Sequence, residues 1–134
     1  MEKVRGEEFR TTLICIDDYR DGVPSGRFYN HAQKEGKFFR GIMELLSEME
    51  WVMEQMEFPK AYHAVRTFAD IPDSSTVPPL GQNRTGKHAT FSLRILFRQN
   101  ASWQGSVTWM EGKKMQSFRS VLELVLLMNS ALAA

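Results

Sequence analysis

Residues 89–98 alternate. Phe91, Leu93, Ile95 and Phe97 fall on one side, and Ser92, Arg94, Leu96 and Arg98 on the other. A period of two predicts a strand with one buried face. After a turn at 99–104, residues 105–110 return as its partner. Residues 11–16, rich in β-branched and apolar side chains, predict another strand. Asp17, Asp18, Asp21 and Gly22, followed by Pro24, then supply turn chemistry, and residues 26–31 predict the returning strand.

The pattern changes over residues 37–56. Phe38, Ile42, Leu45, Met49, Val52 and Met56 recur every three or four positions, which predicts an amphipathic helix. Pro59 would end it. Residues 61–68 can form a third strand. Residues 69–87, with Pro72, Pro78, Pro79, Gly81 and Gly86, predict a loop of a length usually tied to function. Glu111 to Lys114 reads as a solvated turn. A last helix is predicted to Leu132, capped by Ser117 or by Ser120; the latter fits a capping box with Glu123.

Shifting the chain by 79 residues lays residues 11–49 on 90–128 without a gap. Nine of these 39 positions are identical, among them Gly26/Gly105, Phe39/Phe118, Arg40/Arg119, Glu44/Glu123, Leu45/Leu124 and Met49/Met128. Turn, strand and helix fall into register together. The expected fold is therefore α+β: a duplicated strand–strand–helix unit. It gives an antiparallel sheet of four or five strands with both helices on one face, related by a pseudo-twofold axis. Residues 1–134 are expected to form one domain. Arg40/Glu44 and Arg119/Glu123 are spaced for ion pairs on a helix surface.

Composition narrows the function classes by exclusion. A net charge of +1 gives no general affinity for nucleic acid. The single cysteine, Cys15, excludes an intrachain disulfide and agrees with a reducing compartment. No signal-peptide pattern or membrane-spanning run is present, so a cytoplasmic protein without membrane contact is expected.

Candidate chemistry is sparse. Gly81 to His88 approaches a phosphate-binding loop, but His88 replaces the magnesium-binding hydroxyl and a strand comes next where a helix is needed. His31, His63 and His88 share no ligand spacing. Asp17, Asp18 and Asp21 lack the spacing of a calcium loop. Cys15 alternates within a strand as a buried thiol would. No catalytic residue, metal or cofactor is expected. An enzyme would most plausibly place its site beneath the 69–87 loop near His88.

The outward face of the sheet remains. Alternation directs Arg94, Leu96 and Arg98 there, with Arg27 and Tyr29 from the first half, Arg66 from the third strand and Trp103 at the hairpin turn. Such a mixture suits a protein contact surface, including a homodimer. This interaction domain, without enzymatic activity, is the leading expectation. The same arginines and rings could neutralise and stack single-stranded nucleic acid, which is the alternative.

The run from Phe97 to Trp109, Phe-Arg-Gln-Asn-Ala-Ser-Trp-Gln-Gly-Ser-Val-Thr-Trp, continues to Ser117-Phe118-Arg119-Ser120-Val121-Leu122-Glu123-Leu124. With Arg10 to Leu13 and Phe58-Pro59, it resembles a family of short uncharacterised bacterial proteins. The resemblance implies a bacterial cytosolic protein and brings no activity. At the level of fold, duplicated hairpins with a helix after them are similar to Whirly- and PUR-type single-strand binders, an analogy of architecture only.

Overall fold

The computed structural model describes residues 10–57 and 84–134. In chain order these form β1 (Thr11–Arg20), β2 (Val23–Tyr29), β3 (Lys37–Arg40), α1 (Gly41–Met56), β4 (Ala89–Phe97), β5 (Gln104–Trp109), β6 (Lys114–Phe118) and α2 (Val121–Leu132). All strands join one antiparallel sheet in the order β3-β2-β1-β4-β5-β6. The expected strand at 61–68 lies outside the described residues.

The central pair sets the core. Thr12, Ile14 and Ile16 of β1 stand opposite Leu93, Phe91 and Ala89 of β4. Phe28, Phe39, Val107 and Phe118 extend this face outward through the flanking strands. Both helices pack on it, contributing Leu45, Met49 and Met53 from α1 and Leu124, Met128 and Leu132 from α2. The expected α+β sheet with two helices on one face is what the chain forms.

Two corrections concern strands. The sheet has six strands among the described residues, not four or five. Residues 37–40 are β3 rather than the first turn of the helix. Phe39 points to the core opposite Gly26, while Phe38 points outward opposite Arg27. Residues 114–118 are β6 rather than turn and cap. Ser117 pairs with Ser106 in the sheet, so Ser120 is the helix cap. Its Oγ accepts the Glu123 amide at 3.2 Å.

The first hairpin is longer than its sequence suggested. β1 continues through Asp17 and Asp18 to Arg20. Only Asp21 and Gly22, both at positive φ, make the turn; this mirror-image geometry matches the twist of the strands. The pairing of β1 with β2 slips between Ile16 and Asp18, and that of β4 with β5 between Ile95 and Phe97. Each slip is a bulge that inserts one residue and reverses the facing of the side chains beyond it. Opposite the bulges stand Gly26 and Gly105. A Cβ at Gly26 would overlap the Cys15 carbonyl oxygen, and one at Gly105 that of Arg94.

Candidate functional site

The bulges decide which sequence-predicted site residues meet. Arg98 was expected outward; beyond the second bulge it turns under the helices and is 2% exposed. Its Nη1 donates to Glu50 Oε2 at 2.7 Å and to Glu54 Oε1 at 3.1 Å on α1. Trp103, expected at an open turn, is 3% exposed within the core, and its Nε1 donates to Glu50 Oε1 at 2.7 Å. Glu50 of α1 thus holds both ends of the turn between β4 and β5. In the first half Tyr19 turns inward after its own bulge, and its Oη donates to Asn129 Oδ1 of α2 at 2.6 Å.

Arg27 and Tyr29 do lie on the outer face, but residues 84–88 cross over them. The Arg27 guanidinium donates to Asp17 Oδ2, to Tyr29 Oη at 2.9 Å and to the Thr85 carbonyl at 3.2 Å. Burial pulls its pKa down, and the bonds to Asp17 and Tyr29 outweigh that, leaving it raised. The Lys87 amide donates to Asp17 Oδ1 and the His88 amide to the Ile16 carbonyl. Gly86 leaves no room for a side chain between Ala89 and Ile16. Cys15 is buried here, and burial pushes its thiol up despite Arg27 nearby. A raised thiol is a poor nucleophile.

Arg84 lies over the Tyr29 ring, 4.5 Å from its centroid, and donates to the Lys34 carbonyl at 2.7 Å. These two residues border an open depression of about 390 Å³ with Thr11, Leu13, Tyr29 and His31. An Asx turn presents its rim: Asn30 Oδ1 accepts the amides of Ala32 and Gln33 at 3.1 and 2.9 Å. Arg94, exposed on β4, stands opposite Thr11 across the sheet. Arg84 and Lys34 supply positive charge, and among the described residues no carboxylate lines the depression. Neither Lys34 nor Arg84 is singled out by the sequence. It offers only a basic residue in a Pro- and Gly-rich loop, with nothing to show which strand that residue would cross.

From the depression the outer face continues over β4, β5 and β6 as Ser92, Arg94, Leu96, Ser106, Thr108 and Met115. Arg66 lies outside the described residues. His88, the candidate beneath the long loop, sits at the helix side: its Nε2 is 3.1 Å from the Leu132 carbonyl and its ring 5.6 Å from that of Tyr19. Among the described residues no His, Cys, Asp and Glu group could hold a metal, and no helix is long and apolar enough to cross a membrane.

No family model and no solved structure matches the chain. A curated relative does: UvrABC system protein C of Protochlamydia amoebophila (strain UWE25), 28% identical over 97 residues. The match covers 60% of this chain and 16% of that protein. The chain therefore spans about a sixth of the length of that relative.

Proposed function

We propose that the protein is a non-enzymatic binding module that engages single-stranded nucleic acid on the outer face of its sheet. The observation that carries this reading is the depression bordered by Arg84 and Lys34, without a lining carboxylate among the described residues, which opens onto the Ser/Thr face of β4 and β5 beside Arg94. A guanidinium laid on a tyrosine ring keeps its opposite plane for a base, and lysine neutralises phosphate. Small hydroxyl side chains on the adjoining strands let a backbone approach closely. The likeness in architecture to Whirly- and PUR-type single-strand binders points the same way by analogy. The likeness to UvrABC system protein C covers too little of that protein to carry its activity across.

The proposed architecture behind this site is a duplication of a strand–strand–strand–helix unit about a pseudo-twofold axis between β1 and β4. Several pairs support it at the spacing of 79 residues: the bulges, Gly26 with Gly105, and the positive-φ turns at Asp21-Gly22 and Asn100-Ala101. The strand-to-helix bonds Tyr19–Asn129 and Arg98–Glu50 repeat at the same spacing and cross between halves.

Titration of fluorescein-labelled oligonucleotides at low salt tests the function. Saturable binding that weakens with added salt, and that prefers single strands over duplex, is the expected result. Anisotropy that stays flat to high micromolar protein rules the reading out.

A second reading rests on Met110 and Met115, both well exposed at the β5–β6 side of the sheet. There the protein would bind a second copy of itself. Sedimentation decides it: a dimer that Met115→Glu converts to monomer supports it, and a monomer at every concentration removes it.

A further inference from the structure

On the other side of the sheet, between β5, β6 and the end of α2, lies a cavity of about 370 Å³. That is near the lower end of small-ligand sites. Its walls are Phe91, Trp109, Val107 and Leu127. The Trp109 indole is held from outside, because Gly112 packs so closely against the ring that a Cβ there would collide with it. The helix wall is cut away. Ser130 and Ala131 face the cavity where the corresponding positions of α1 carry Trp51 and Val52. The strand wall is aromatic where the first half has Thr12 and Asn30. The lining thus combines broad rings on the strands with small side chains on the helix.

The polar groups define the rest. Among the described residues the polar side chains lining the cavity are Lys114, its single cation, with Gln116 and Ser130, and no carboxylate side chain lines it. The Ser130 hydroxyl already donates to the Leu127 carbonyl at 2.7 Å, so its lone pairs can accept a hydrogen bond from a ligand. The cavity reaches the C-terminal turns of α2, where the helix dipole favours a donor and disfavours an anion. A ligand would therefore direct an N–H or O–H toward Ser130 and an acidic group toward Lys114.

We propose that this cavity is a binding site for a small aromatic carboxylic acid carrying a ring N–H or O–H donor. The site is separate from the outer face and does not depend on the nucleic-acid reading. The comparison of its helix wall with α1 does use the proposed repeat.

Indole-3-acetate is a suitable probe, monitored by ¹H–¹⁵N NMR of the whole chain. The expected result is saturable shifts at the Trp109 indole N–H and the amides of Leu127 and Ala131, with Trp51 unmoved. Indole, which lacks the acid, and the variant Lys114→Glu should each weaken binding by about tenfold, or 1.4 kcal/mol. Ser130→Trp should fill the space and abolish the shifts; Ala131→Leu, a smaller change, should weaken them. No saturable shift with the wild type at millimolar probe overturns the proposal. So does unchanged binding in a folded Ser130→Trp or Ala131→Leu variant.

Discussion

Arg98 shows how one residue can look like a surface contact and be a core strut. Its guanidinium is buried against Glu50, whose carboxylate also takes the Trp103 indole. Removing one member of such a group strands a buried charge. Arg98→Ala should therefore lower stability by about 3 kcal/mol in chemical denaturation. A loss within a few tenths would mean that solvent reaches the site. Cys15 should not react with a thiol reagent at neutral pH until denaturant is added, because burial both shields it and raises its pKa. Glu123 gives a pH signature. Its carboxylate accepts from the Arg119 side chain and from the Arg119 amide, and both bonds lower its pKa. A carboxylate with a lowered folded pKa stabilises above its unfolded value and loses that contribution as pH falls through the folded one. Glu123→Gln should thus cost stability at neutral pH and little in strong acid. Equal loss at both would contradict the assignment.

At the scale of elements, the strong periodicities were legible and the short edge strands were not. Residues 89–97 alternate without interruption, and the helical stripe from Ile42 to Met56 matches α1. β3 and β6 escaped because an edge strand needs few buried positions. β6 buries only Phe118, and β3 places two phenylalanines together just where a helix begins. The bulges were illegible as well. A slip of one residue leaves no mark on hydropathy, and it misdirected Arg98; Trp103 instead follows the alternation of β5, two residues before inward Gly105. Gly26 and Gly105 were the trace the bulges left, since each is needed where the opposing carbonyl crowds the backbone. Gly105→Ala should be severely destabilising, by about 3 kcal/mol or more, or should prevent folding. The turn offers the opposite case. Ala101 holds φ at 55°, at the position where the first half has Gly22. Ala101→Gly should raise thermal stability, by about 1 kcal/mol, by relieving that strain.

Across the whole molecule, the two halves exchange their strand-to-helix bonds, Tyr19 reaching α2 and Arg98 reaching α1. Each bond joins the two halves, so neither half could make it alone. The halves differ most on the two surfaces proposed to bind ligands. The first half's outer strands are crossed by residues 84–88, which bring Arg84 onto Tyr29. The helix wall of the second half opens beneath Ser130. The sequence carries a spacing of 79 residues, on which the proposed duplication rests. It did not announce the crossing segment, because its position depends on a register with β1 that no local pattern encodes.

The outer face as a nucleic-acid surface is tested most directly by the salt dependence of oligonucleotide affinity in the wild type and in Arg84→Glu/Lys34→Glu. Both side chains are exposed, so the double variant should fold. The wild type should bind single strands with an affinity that falls steeply with salt. The variant should bind far more weakly, with the log–log slope reduced by about two. Equal affinity and slope in the two proteins, or no binding by the wild type at low salt, would contradict it.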